Sequence, residues 1–294
     1  MTDVLLRPFV EGDKDRHQRA KRRNLGIARN ILTERLTRLV EERVIDRHAY
    51  SDRPMRFEYR LTASGRDFYP AIVAMMSWGD RWRKTPGGAP LRLYDFATRR
   101  RLDPAVVCSA CGQPVKAEDV IYRDGPGAGV EALPDVPETR RRGSDPYLRG
   151  RPCSVANALQ VIGDRWSFRI VREAFFGVRR FDDFQRNIGL ARNILATRLK
   201  HLVDDGVLTR QRYTDRPPRF EYVLTEAGRD LYPSLLLFLV WGDKWRSPEA
   251  GPPIVLEHTH CGKRLQPRLI SQATGNDVTA ANVSYRMRYT FDPG

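Results

Sequence analysis

Acidic residues are in short supply. The chain holds 36 Asp and Glu against 51 Lys and Arg in 294 residues, a formal net charge of +15. Such an excess calls for a polyanion; nucleic acid is the usual partner and an anionic membrane surface the rival. Long apolar runs are missing: the longest, LLLFLVW from Leu235 to Trp241, falls far below the ~20 residues that span a bilayer. No membrane partner is expected. The opening MTDVLLRPFVEGDKD lacks a basic segment ahead of a long apolar core, so it does not read as a signal peptide. Cysteine is scarce, four residues in all, which excludes a disulfide framework and points to a reducing cytoplasm. No Ser/His/Asp set, paired carboxylates or phosphate-cradling glycine loop is present. The chain therefore does not read as an enzyme, and no cofactor is expected.

What the chain does have is itself, twice. Aligning Asn24 with Asn187, an offset of 163 residues, gives a gapless match from there to Arg83 against Arg246, with about half the positions identical. DRPMRFEY (Asp52 to Tyr59) matches DRPPRFEY (Asp215 to Tyr222), GRDFYP matches GRDLYP, and WGDRWR matches WGDKWR. A tandem duplication of this kind sets the domain count at two. The expected division is a partial first copy with a CxxC-containing tail over 1–123, a flexible linker rich in Pro, Gly and charge over 124–152, and a complete second copy with its own tail over 153–294.

The second copy is the easier to read. CSVANALQVIG places Val155, Leu159 and Ile162 at helical spacing. Asp164 can cap a second helix over Arg165 to Phe175, and Phe181 and Phe184 mark a short third. From Leu190 to Val203, Leu195, Leu199 and Leu202 fall on one face. The other face carries Arg192, Asn193, Thr197 and Lys200, flanked by Arg198 and His201. Two β-prone runs, Val207 to Tyr213 and Phe220 to Leu224, then enclose a tip with Arg216 and Arg219. Short helices, an amphipathic basic helix and a basic hairpin describe a winged helix-turn-helix, with the helix for the major groove and the wing for phosphate or the minor groove. Thr225 opens a last helix, Glu226 to Trp245, that Pro233 is expected to kink. Its SLLLFLVW run is apolar nearly all round, which suits either pairing with another copy or complete burial in a core. The fold class expected is mainly α with small β wings: two such domains in tandem, the first incomplete.

The order CSVANALQVIGDRWSFRIVREAFFGVRRFDDFQ, IGLARNILATRLKHLVDDGVL, DRPPRFEYVLTEAGRDL resembles the HxlR-type winged helix-turn-helix transcription regulators of bacteria. The resemblance covers Cys153 to Trp245 in full and about Asn24 to Trp82 in part. It implies double-stranded DNA as partner, pairing of domains through first and last helices, and a recognition helix over Asn193 to Lys200. Pairing could occur within one chain or between two. Some relatives in the family sense oxidants or electrophiles through a cysteine near the place of Cys153, so an oxidant or small-molecule effector is also implied. A small buried residue is the plainer reading of Cys153.

The first copy departs upstream of Asn24, where MTDVLLRPFVEGDKDRHQRAKRR stands in place of the two opening helices. This would uncover Leu36, Leu39 and Val40 unless VLLRPFV or the other domain shields them. On the reading helix Arg29 and Asn30 persist, but Thr197 becomes Glu34, Lys200 becomes Thr37 and His201 becomes Arg38. Arg53 and Arg56 replace Arg216 and Arg219 on the wing. Glu34 would oppose phosphate, so weaker or different DNA reading is expected of this copy.

Cys108 and Cys111 form a CxxC that could be half of a zinc site. The aligned residues of copy two are SQAT, whereas copy two has His258, His260 and Cys261 where copy one has Asp95, Ala97 and Thr98. Each copy keeps a different half of one ligand set. A metal shared between domains through Cys108, Cys111, His258 and Cys261 is one outcome; a decayed knuckle with free thiols and no metal is the reading preferred on sequence. The readings that compete with a DNA-binding regulator are a redox- or zinc-dependent thiol protein and an interaction scaffold that has partly lost DNA binding.

Overall fold

In the computed structural model, residues 29–83, 88–129 and 153–287 are described. The first copy opens with α1 (Arg29–Glu41), followed by the hairpin β1 (Ile45–Asp52) and β2 (Met55–Leu61), the short α2 (Ala63–Asp67) and α3 (Tyr69–Trp82). Its tail supplies β3 (Leu91–Asp95), β4 (Pro104–Cys108) and β5 (Val120–Asp124). The second copy adds two helices in front, α4 (Ser154–Ile162) and α5 (Arg165–Phe175), then α6 (Phe181–Ile188) and α7 (Arg192–Asp204). The hairpin β6 (Leu208–Asp215) and β7 (Pro218–Leu224) follows, then α8 (Glu226–Arg229), α9 (Tyr232–Arg246) and tail strands β8 (Ile254–His258), β9 (Lys263–Arg264), β10 (Pro267–Ser271) and β11 (Val283–Met287).

Local chemistry sets the helix starts. Asp164 accepts hydrogen bonds from the N–H groups of Trp166 and Ser167 at 3.1 and 3.0 Å, capping α5. Thr62 and Thr225 do the same for α2 and α8, through Gly65 and Gly228 at 3.1 and 3.0 Å. The expected kink at Pro233 is a break: α8 ends at Arg229, and Pro233 lies in the first turn of α9, as Pro70 lies in the first turn of α3. A first-turn N–H has no helical acceptor, so proline costs nothing there. The core of copy two is Val155, Ile170, Val171, Phe184, Leu195, Leu199, Leu202 and Leu231, all buried. Leu36, Leu39 and Val40 are half-buried against the same continuous core, while VLLRPFV lies outside the described residues.

The expectation of a mainly α chain with β confined to the wings needs correction. The tails form three further antiparallel sheets, and each joins one copy to the other: β4 with β10, β3 with β11, and β5 with β8 and β9. The strands were illegible locally because each is five residues or fewer and finds its partner in the other copy. Within the stretch expected as linker, Asp124 ends β5 opposite Ile254, and Gly125 donates to the Pro253 carbonyl at 2.9 Å; residues 130–152 lie outside those described.

The helical contact between copies is reciprocal. Trp78 Nε1 donates to the Ala227 carbonyl and Trp241 Nε1 to the Ser64 carbonyl, both at 2.8 Å. Trp82 Nε1 reaches Asp230 at 2.9 Å, and Trp245 Nε1 reaches Asp67 at 3.1 Å. Arg81 pairs with Asp230 and Lys244 with Asp67; Arg83 pairs with Asp205 and Arg246 with Glu42. Every one of these contacts maps onto its partner by the 163-residue offset. Contacts that recur with the copies exchanged define an isologous, two-fold interface. Among the described residues α4 breaks the symmetry: it packs on α3, and nothing of its kind covers α9. Trp78 is accordingly buried whereas Trp241 is half-exposed.

Candidate nucleic-acid interface

In copy two, Gly189 at φ 73° ends α6 in the left-handed conformation and turns the chain into α7. Leu195, Leu199 and Leu202 bury one face of α7 completely. Arg192, Asn193, Thr197, Lys200 and His201 stand exposed on the other, as the spacing predicts. Arg192 is held at the helix start by Asp182 at 3.3 Å and Gln185 at 3.0 Å, with its guanidinium 5.0 Å from the Phe181 ring centre. Lys200 meets Asp204 one turn on, at 2.6 Å. Both pairs are solvent-exposed and hold their partners weakly.

Arg198 is different. Its side chain is only 17% exposed and turns inward to Asp164, 3.6 Å away. Asp164 also caps α5, so Arg198 ties α7 to the start of the preceding helix. The structure does not bring it to the exposed face with the other sequence-assigned residues.

On the wings, Arg53, Arg56, Arg216 and Arg219 are all exposed. Both tips turn through a cis Arg–Pro bond, Arg53–Pro54 and Arg216–Pro217. Further down, Arg47 lies 3.5 Å from the Phe57 ring centre and Arg210 lies 3.6 Å from that of Phe220. Sequence reasoning missed these two exposed arginines, although their identical place in both repeats and their alternation with aromatics were a usable signal. In copy one, Asn30, Glu34, Thr37 and Arg38 are exposed along α1, and the side chain of Arg29 lies outside what is described. His48 and His201 face solvent; His17 lies outside the described residues.

The HxlR-like helix-turn-helix family model matches residues 2–86 and 161–250, more than half of the sequence. The chain belongs to the HxlR family. The match reaches further upstream than the internal repeat does, so the segment ahead of Asn24 keeps the family's pattern after its identity to copy two has faded. Relatives of this HxlR chain are named as transcription regulators. An uncharacterized HTH-type transcriptional regulator of Mycobacterium tuberculosis, Rv3095, is 47% identical over 131 residues, covering 45% of this chain and 83% of the relative. YdeP of Bacillus subtilis is 35% identical over 95 residues, covering 32% and 74%. Among solved structures, the transcriptional regulator YodB of B. subtilis is 28% identical at a TM-score of 0.29, over 31% of this chain and 91% of that one.

Outside the exposed helix faces and wings, the HxlR chain carries its cysteines at two places. Cys153 is buried, 8% exposed, and immediately precedes α4. Cys108, Cys111 and Cys261 come together with His258 in the joined tails, while His260 points to solvent. None of the four cysteines is in a disulfide. No helix among the described residues is long and apolar enough to cross a membrane.

Proposed function

We propose that the chain is a sequence-specific, cytoplasmic DNA-binding transcription regulator that works as a pseudo-dimer within one chain, with copy two as the main reader. The observation that carries this reading is the reciprocal set of indole and arginine contacts between α3 with α2 and α9 with α8, which gives a single chain the two-fold relation that HxlR-type domains need for paired half-sites. The exposed Arg192, Asn193, Thr197, Lys200 and His201 on α7, with Arg216 and Arg219 on the wing, suit the groove and the phosphates. Copy one offers Asn30, Arg38, Arg53 and Arg56 together with Glu34, so its half-site contact should be weaker. The operator expected is one strong half-site with a degenerate partner about one helical turn, ~34 Å, away.

DNase footprinting on the DNA upstream of the chain's own gene tests this. The expected result is protection of two unequal half-sites, with steep loss of binding as salt rises. Uniform protection would overturn the sequence-specific reading, and no protection at all would favour the scaffold, in which the copies serve assembly alone.

A further inference from the structure

The joined tails gather a ligand set that neither copy holds alone. Cys108 ends β4 and Cys111 lies on the turn that follows, in copy one; His258 ends β8 and Cys261 lies on the turn that follows, in copy two. Their Sγ and imidazole nitrogen atoms all lie within 4.8 Å of one another. The sulfurs of Cys111 and Cys261 stand 3.4 and 3.6 Å from His258 Nδ1. A tetrahedral zinc ion, with bonds of about 2.3 Å to sulfur and about 2.0 Å to nitrogen, separates such ligands by roughly 3.5 Å. Cys108 and His258 are fully buried, and the other two are half-buried.

The two turns have one design. Gly112 N–H donates to the Cys108 carbonyl and Gly262 N–H to the His258 carbonyl, each at 2.8 Å, with the glycines at φ 73° and 63°. This geometry folds the second ligand back beside the first.

The offset of 163 residues carries this set onto Ser271, Thr274, Asp95 and Thr98, and the structure gathers those as well. Thr98 donates to Asp95 Oδ1 through its N–H at 2.8 Å and its hydroxyl at 3.0 Å, and Thr274 reaches Oδ2 at 3.5 Å. The turns persist: Arg99 N–H donates to the Asp95 carbonyl and Gly275 N–H to that of Ser271, at 2.9 and 2.8 Å. Arg99 sits at φ 59° where the other three turns have glycine. The same pocket has thus been built twice. One version holds the Asp95 carboxylate with Thr98 and Thr274; the other converges three sulfurs and a nitrogen.

We propose that Cys108, Cys111, His258 and Cys261 form a closed structural zinc site that fastens copy one to copy two. Zinc binding displaces the three thiol protons to solvent, and His258 binds neutral through Nδ1. Three sulfurs and one nitrogen in a tetrahedral set favour zinc. All four positions are taken by protein, so no place is left for a water or substrate, and the role is structural. The site is independent of DNA reading.

The test is elemental analysis of the full-length protein, purified under reducing conditions without chelator. The expected content is one zinc per chain, lost in Cys111→Ser and in Cys261→Ser. Stripped wild-type protein given cobalt(II) should develop the visible absorption of a tetrahedral thiolate complex. Converting the second pocket with Asp95→His, Thr98→Cys, Ser271→Cys and Thr274→Cys together should raise the content from one to two. A reduced wild-type chain that holds no zinc and gives no cobalt spectrum overturns the site, and this arm stands even if a variant fails to fold. Zinc that survives Cys261→Ser overturns the shared ligand set.

Discussion

Val106 pairs with Leu269 at the centre of the β4–β10 ladder, and the two are one position of the repeat, 163 residues apart. On either side the partners exchange: Cys108 faces Pro267, and Pro104 faces Ser271. A position that meets its own counterpart lies on a two-fold axis. The same axis relates the Trp78 and Trp241 hydrogen bonds, so tails and helices share one symmetry, and the second copy of the reading helix has a place to be.

The helical interface should be sensitive at Gly79 and tolerant at Gly242. A Cβ at Gly79 would stand 2.2 Å from the Ser154 carbonyl oxygen, where α4 crosses α3; at Gly242 it would meet nothing within 4 Å. Gly79→Ala should cost about 1–3 kcal/mol by overpacking, or about 2–4 °C in melting temperature for each kcal/mol. Gly242→Ala should be neutral or stabilising by up to about 1 kcal/mol, the helix propensity gain. Calorimetry on the two variants checks the asymmetry; equal effects would mean that α4 does not pack as described.

Arg198→Ala should act on folding rather than reading. It removes the half-buried Arg198–Asp164 ion pair while Asp164 keeps its hydrogen bonds from Trp166 and Ser167, at a cost of about 1 kcal/mol. Its affinity for operator, measured at a temperature where the variant is fully folded, should stay within about threefold of wild type, since Arg198 does not join the exposed face. A large loss of affinity in a stable variant would return Arg198 to the DNA contacts.

Arg192→Ala with Lys200→Ala should do the reverse. Their ion pairs are exposed, so melting temperature should hardly move, whereas operator affinity should fall and the salt slope flatten by roughly one unit per lost phosphate contact. Arg29→Ala in copy one should cost less. Fluorescence anisotropy across a salt series gives both quantities, and a greater loss at Arg29 would reverse the ranking of the two copies.

Cys153 is expected to be a structural residue. At 8% exposure ahead of α4 it is poorly placed to meet a second chain. Mild oxidant should produce no Cys153-dependent dimer on non-reducing electrophoresis. A dimer band that Cys153→Ser removes, rising in step with loss of operator binding, would make it a sensor.

Much of each reading head was legible because its signals are local. Apolar residues at helical spacing mark α7, Asp164 and Thr225 announce caps, and the repeated blocks date the duplication. The tails were not legible. PAVVC and PRLIS are too short to declare a strand by themselves, and their partners lie in the opposite copy. The inward turn of Arg198 was hidden for the same reason, since Asp164 is far away on the sequence. The ligand halves could be seen in the alignment as complementary losses, yet only the exchange of tails shows that they meet.

The mass of the chain in solution tests the intrachain pairing most directly. Light scattering on the full-length protein at micromolar concentration, free and bound to operator, should give the mass of a single chain, 33.8 kDa, with one chain per operator. Twice that mass, with the two chains joined through the α3 and α9 helices and the tail strands, would contradict it.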